Sequence, residues 1–426
     1  MSSYRQPGTT VTDRTFTVPL DHRAPDGQKI ELFAREVVAA RAGEADLPWL
    51  LYLQGGPGFG AQRPVGRDGW LDRALRDYRV LLLDQRGTGR SAPANRKTLA
   101  GLGSPAAQAD YLARFRADSI VADAELIRPQ VTGGRRWSVL GQSFGGFCTV
   151  TYLSAAPGGL REAFVAGGLP GLASTADDVY RQTYPVVAAR NRAHYERYPQ
   201  DVERARAVAR VLIDAPVRLP GGTLLTVQAF QSLGLMLGSG TGSHTLHYLI
   251  EDPFAGRELN DDFLHRVESI LTFAPAPLYA VLHEACYAQG PATRWSAQRV
   301  RAEFAEFDAA KALETDAPVL FTGEMIYPWM FENDPVLAPL AEAAGLLAER
   351  EDWPALYDAA QLRASDVPAA AAVYFNDMYV PTEFSLQTAS TIRGLRPWVT
   401  SEFEHDGLRA SPAVLDRLIG LVRGDV

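Results

Sequence analysis

Lysine is almost missing from this chain of 426 residues, standing only at Lys29, Lys97 and Lys311. Arginine supplies nearly all the cationic charge, is scattered along the chain and forms no basic run. With a net charge of −8, nothing favours binding to nucleic acid or to an anionic membrane. Cysteine is equally scarce. Cys148 and Cys286 cannot build a disulfide framework, which fits a reducing cytosol. The opening residues lack the apolar core of a signal peptide, and no apolar stretch reaches the roughly 20 residues that span a bilayer. A cytoplasmic protein is the expectation. Internal repeats and low-complexity tracts are absent too, which argues against a solenoid or a disordered spacer. What remains is 46% apolar and 22% charged, a globular composition long enough for one large domain with an insertion.

Short apolar runs end abruptly in turns rich in glycine and polar residues. Residues 14–22 and 28–39 read as strands joined through Pro25-Asp26-Gly27, a hairpin signal. Residues 49–53 run into Gln54-Gly-Gly-Pro-Gly58, and residues 80–83 run into Asp84-Gln-Arg-Gly-Thr-Gly-Arg-Ser91. Further runs cover about 136–141 and 162–167. Fully apolar strands separated by amphipathic segments predict an α/β fold, a mostly parallel sheet covered by helices on both faces. From about 170 to 314 the rhythm becomes helical, as over 201–213, and strand-type runs return at 317–321, 368–375 and 398–403. The economical division is a sheet core over 1–169 and 315–426, with a helical cap (lid) domain over 170–314. Within the cap, Gly238-Ser-Gly-Thr-Gly242 imitates a phosphate-binding loop but follows no strand, so it reads as a flexible lid loop.

The most informative segment is 137–147, where an apolar strand enters Gly141-Gln-Ser143-Phe-Gly145 and then a helix. Gly-x-Ser-x-Gly between strand and helix lifts a serine hydroxyl onto a sharp turn at the top of a parallel sheet. Ser143 is therefore the candidate nucleophile. A serine needs a base to take its proton and a third group to orient that base. In this arrangement the partners follow in the order serine, acid, histidine. Of the seven histidines, His22 precedes the serine, and His194, His244, His247, His265 and His283 fall in the inferred cap. His405 remains, just after the last apolar run. Asp377, at the carboxyl end of the 368–375 run, is the candidate acid, with Asp366 as a weaker rival.

The developing oxyanion needs two N–H donors held in place beforehand. Phe144, directly after the nucleophile, should supply one, and the glycine loop at Gly55 and Gly56 the other. Asp84 and Arg86 are expected to brace that loop. Two metal imitations fail. His283-Glu284 opens like His-Glu-x-x-His, but position 287 is Tyr, and His244-x-x-His247 lacks a further ligand. No metal or cofactor is expected.

Taken together, Gln54-Gly-Gly-Pro-Gly58, Asp84-Gln-Arg-Gly-Thr-Gly-Arg-Ser91, Gly141-Gln-Ser-Phe-Gly-Gly146, Asp377 and His405 resemble the α/β-hydrolase superfamily, and more narrowly its proline iminopeptidase (prolyl aminopeptidase) branch. His283-Glu-Ala-Cys-Tyr287 and Gly323-Glu-Met-Ile-Tyr-Pro-Trp-Met-Phe331 are similar to the larger members of that branch. Gln54 departs from the pattern, because many relatives carry His before the two glycines. The resemblance implies release of N-terminal proline from short peptides through an acyl-enzyme on serine. That chemistry calls for a carboxylate to hold the substrate amine. Glu284 in the cap and Glu324 after the 317–323 run are the candidates, with Glu332 weaker. It also calls for an apolar slot, for which Phe144, Tyr287, Trp329 and Phe331 could supply walls. A carboxylesterase, an amidase or a tripeptidyl-type aminopeptidase on the same fold is the alternative, as is a catalytically silent binding protein. The oligomeric state is not legible.

Overall fold

A computed structural model describes residues 2–41, 46–67 and 69–426. Its main sheet has nine strands: β1 (Ser2–Gln6), β2 (Thr9–Pro19), β3 (Lys29–Ala39), β4 (Trp49–Leu53), β5 (Arg79–Leu83), β6 (Trp137–Gln142), β7 (Leu160–Ala166), and, after two small cap hairpins, β12 (Ala369–Tyr374) and β13 (Leu395–Thr400). The hairpins are β8 (Val217–Arg218) with β9 (Leu224–Leu225), and β10 (Phe254–Ala255) with β11 (Glu258–Leu259). Spatial order in the main sheet is β1-β2-β3-β5-β4-β6-β7-β12-β13. The first three strands run antiparallel to their neighbours, and every pairing from β5 to β13 is parallel.

The inner parallel strands β4, β6 and β12 are buried on both faces, which is why they read as largely apolar runs, whereas the edge strand β13 is partly exposed. One face packs under helices Ala117–Thr132 and Phe144–Ala155, joining Leu51, Val139 and Val165 to Ile120, Ile127 and Val150. The other packs under helices Gly69–Ala74 and Pro412–Arg423, joining Leu50, Leu140 and Phe164 to Trp70, Leu415 and Leu418. Elements were expected close to where they form, with β13 starting three residues before the anticipated run. β1 was not foreseen. Its sequence is polar, and it pairs with β2 alone at the sheet edge.

Between β7 and β12 the chain is mainly helical and lies outside the sheet. Its longest helix, Ala176–Arg197, starts on a capping box in which Thr175 and Asp178 bond reciprocally. The strand expected over 317–321 does not form. That segment is irregular, with Val319 and Phe321 buried, and most of its backbone partners are side chains of the preceding helical segment. Asn191 receives the Phe321 N–H (2.8 Å) and donates to its carbonyl (2.8 Å), while Gln231 donates to Leu320 O (2.7 Å). Phe321 packs with Phe230 and Tyr195 in an apolar cluster drawn mainly, not wholly, from the segment between β7 and β12. The sheet therefore resumes at Ala369, and no sheet strand stands near the anticipated return at 315. No helix among the described residues is long and apolar enough to cross a membrane.

Candidate active site

Strand β6 delivers Ser143 at the carboxyl end of the sheet, and the helix Phe144–Ala155 begins with the next residue. Ser143 has φ 55° and ψ −125°, a strained conformation for a residue with a side chain. The turn closes only because its glycines lack Cβ atoms. A Cβ on Gly145 would lie 1.9 Å from Leu53 O, and one on Gly141 would lie 2.1 Å from Gly145 O. The hydroxyl-bearing turn is thereby pressed against the end of β4, where the glycine loop starts. A Cβ on Gly55 would meet Ser143 Cβ at 2.9 Å. The loop and the elbow thus face each other, with the Phe144 amide in the first turn of its helix.

Asp377 follows β12, and His405 follows β13. Asp377 Oδ2 lies 2.7 Å from His405 Nδ1. The other carboxylate oxygen accepts the N–H groups of Tyr379 (2.9 Å) and Val380 (3.1 Å), which fixes the carboxylate plane. Both groups are buried. Burial alone would lower the imidazole pKa, yet the Asp377 carboxylate, reinforced by Glu324 and opposed by Arg409, holds it above 6.5. The turn Gly167-Gly168 after β7 lies against both the histidine and the elbow. A Cβ on Gly167 would sit 3.3 Å from His405 Nδ1, and one on Gly168 would sit 2.3 Å from Ser143 O. The rival Asp366 is exposed and pairs with Arg393, away from this cluster.

The braces differ from expectation in part. Asp84 accepts Ala61 N–H (3.0 Å), Arg90 N–H (2.9 Å) and two Arg63 nitrogens (2.8 and 2.5 Å), securing the chain just beyond Gly58. Arg86 does not reach the glycine loop. It forms a bidentate pair with Asp123 (2.7 and 2.6 Å) and bonds the carbonyls of Pro19, Leu20 and Arg114. The brace that was missed is Gln85, whose Nε2 donates to Gln54 O at 3.0 Å.

The two expected amine anchors separate. Glu284 accepts the Ser296 and Ala297 N–H groups (3.0 and 2.8 Å) and so caps the helix Ser296–Arg301. Burial pushes its carboxyl up to about 7 against those bonds. Its acceptors are committed to a helix end. Glu324 instead lines a mostly apolar cavity with Leu235, Ile270, Phe273, Tyr279 and Trp329. Its Oε1 accepts the Tyr279 hydroxyl at 2.7 Å. Tyr279 in turn packs on the glycine loop, since a Cβ on Gly58 would lie 2.6 Å from its N and the Phe59 ring is 5.3 Å from its own. Glu332 is exposed. Phe331 is buried against Trp295 and does not line the cavity, whereas Trp329 does.

Tyr287 belongs to a file of rings that starts at the elbow helix. Centroid separations are 6.3 Å for Phe144–Phe147, 5.9 Å for Phe147–Tyr287, 5.7 Å for Tyr287–His283 and 5.2 Å for His283–Tyr279. Of these, Phe147, Tyr279 and His283 were not foreseen as site residues. The segment 238–242 is no loose loop. His405 N–H bonds Gly238 O (3.2 Å), and Gly240 N–H bonds Asp406 Oδ1 (3.1 Å). His247 is packing, stacked on Tyr198 and bonded to Asp201 at 2.9 Å.

Residues 48–242 match the model of the alpha/beta hydrolase fold family. A proline iminopeptidase of Aeromonas sobria is 50% identical over 410 residues, 96% of this chain and 95% of its own. This chain belongs to the proline iminopeptidase family. A proline iminopeptidase of Aspergillus aculeatus is 38% identical, across 95% of this chain and 92% of its own. A solved proline iminopeptidase of Mycobacterium smegmatis matches 97% of this chain and 100% of its own at 15% identity and a TM-score of 0.45. Family membership thus rests on the two curated relatives, alike along nearly the whole chain, and the α/β-hydrolase fold on the family match over residues 48–242 together with the sheet described above.

Proposed function

We propose that this chain is a serine exopeptidase that releases N-terminal proline from short peptides. The observation that carries the reading is the 2.7 Å bond between Asp377 and His405, at the same sheet end as the strained Ser143 elbow. His405 takes the Ser143 proton as Oγ bonds to the prolyl carbonyl carbon, and Asp377 holds the imidazolium that forms. The amides of Phe144 and of the Gly55-Gly56 loop receive the oxyanion. Collapse breaks the C–N bond, and His405 gives its proton to the leaving amine. Water then attacks the acyl carbon, again losing its proton to His405, which returns it to Ser143 Oγ as proline leaves. Glu324 takes the substrate's protonated amine, and the aromatic file from Phe144 to Tyr279 borders the ring.

The relatives support the substrate class, since both carry the name proline iminopeptidase at high coverage. The test compares prolyl, alanyl and N-acetylprolyl naphthylamides, with fluorophosphonate labelling and Ser143→Ala as the blank. Turnover restricted to free prolyl substrate, with label on Ser143, is expected. Equal turnover of the N-acetylated substrate would instead indicate an esterase or amidase, and folded protein that takes no label would indicate a binding protein.

A further inference from the structure

The acid and the base of the triad stand on core loops, but a cap residue touches both loops. Arg190, on the helix Ala176–Arg197, donates from Nη2 to the carbonyl of Asn376 at 2.9 Å. The same guanidinium is ion-paired with the Glu404 carboxylate. Asn376 immediately precedes Asp377, and Glu404 immediately precedes His405. Its side chain is only 19% exposed and that of Glu404 24%, so water competes weakly for these contacts.

The neighbourhood is crowded with charge. From the cap come His194 and Arg197, and from the histidine loop Glu402, Glu404 and Asp406. Asp377 is close enough for its carboxylate to favour the Arg190 cation against burial. The cap holds the histidine loop at two more points, through the Gly238 carbonyl and the Gly240 amide. Tyr379, two residues after the acid, donates its hydroxyl to the cap carbonyl of Leu235 and sets its ring edge-on to His405 at 4.7 Å. The triad loops are therefore tied to the cap as well as to the sheet.

We propose that Arg190 is a positioning residue, a cap-borne clamp that joins the loop of Asp377 to the loop of His405 and so sets the hydrogen bond between them. The inference rests on the triad reading above. It gives the cap a part in the chemistry. Both contacts run from the single nitrogen Nη2, so the reach and position of the guanidinium join the two loops, and lysine, a compact point charge on a different stem, replaces it only in part.

The test measures kcat and KM on prolyl naphthylamide alongside thermal melting. Displacing a catalytic group by about 1 Å costs on the order of 10²-fold in rate. Arg190→Ala should therefore lower kcat by about 10- to 100-fold with KM within about twofold of the parent. Arg190→Lys should recover part of the loss. The exposed neighbour Arg192, as Arg192→Ala, should match the parent. If Arg190→Ala fails to fold, Glu404→Gln cuts one of the two ties and should show a smaller loss, again in kcat. An unchanged kcat in both variants, or a loss confined to KM, would overturn the clamp. Ser143→Ala keeps the two readings apart. If it retains full activity the triad reading itself falls, whereas an inactive Ser143→Ala beside an unimpaired Arg190→Ala sinks the clamp alone.

Discussion

Replacing Glu324 by Gln removes one charge and almost no shape. The Tyr279 hydroxyl, 2.7 Å from Oε1, can donate equally well to an amide carbonyl, so the cavity wall stays in place. What disappears is the attraction for a protonated amine. A hydrogen bond to a charged partner contributes roughly 1.5–3 kcal/mol net, and each 1.36 kcal/mol is tenfold in rate. Glu324→Gln should therefore lower kcat/KM on prolyl naphthylamide by about 10- to 150-fold. The same variant should hydrolyse an acetyl ester, which offers no amine, within about twofold of the parent. A second consequence concerns pH. Glu324 helps hold the His405 pKa above 6.5, and the base works only when neutral. Activity on the ester should thus fall off below a midpoint above 6.5 in the parent, and at lower pH in the variant. Equal losses on both substrates would mean that Glu324 is structural, and undiminished prolyl turnover would remove it from the site.

Asp377→Asn should lower kcat by roughly 10³- to 10⁴-fold, because the amide stabilises the wrong imidazole tautomer; stopped assays with active-site titration check it. In the same variant the acid limb should move down, since the carboxylate that raises His405 is gone. Gly145→Ala forces a Cβ to within 1.9 Å of Leu53 O, so the strand end or the elbow must shift. The expected cost is about 1–3 kcal/mol in urea unfolding and on the order of 10²-fold in kcat, and parent-like values for both would refute the elbow geometry. Glu284 is raised from 4.5 to about 7 by burial. The folded state then holds its proton more tightly than the unfolded chain, so this group makes stability fall as pH rises through that window. The difference amounts to roughly 3 kcal/mol. Glu284→Gln should gain on the parent between about pH 4.5 and 7, and parallel curves would show that the raised value is wrong.

How much of this was legible depended on whether the signal was local. The elbow could be read because strand, Gly-x-Ser-x-Gly and helix are contiguous. Asp377 and His405 could be named because each directly follows an apolar run and histidines are few. The false strand at 317–321 shows the limit of that reasoning. A short apolar run looks alike in sequence whether its backbone groups meet another strand or the side chains of Asn191 and Gln231, 130 and 89 residues away in the chain. Glu284 misled for a related reason. Its partners are the amides of residues 296 and 297, a helix end that only the tertiary fold brings within reach. Tyr279, Gln85 and Arg190 carried no motif, and their contacts cross between segments far apart in sequence.

The core and the cap divide the chemical problem between them. A serine elbow, an imidazole and two amides can open almost any activated carbonyl, so the sheet end alone does not distinguish a terminal residue from an internal one. That distinction needs a group placed one Cα away from the reacting carbonyl. Tyr279 bridges that gap, packing on Gly58 of the oxyanion loop at one end and bonding Glu324 at the other. A terminal proline brings a cation to the carboxylate. An internal proline brings an acylated nitrogen, which has no charge, no N–H and a chain that must go somewhere. Half-buried Glu324 would then keep only the Tyr279 hydroxyl and lose its cationic partner, and a partly desolvated charge without a counter-charge is costly. On the proposed function, attraction for the free amine and rejection of the blocked one would thus arise from a single side chain. A relaxed terminal preference in Glu324→Gln, with N-acetylprolyl substrate gaining while prolyl substrate loses, is the signature that this division of labour requires.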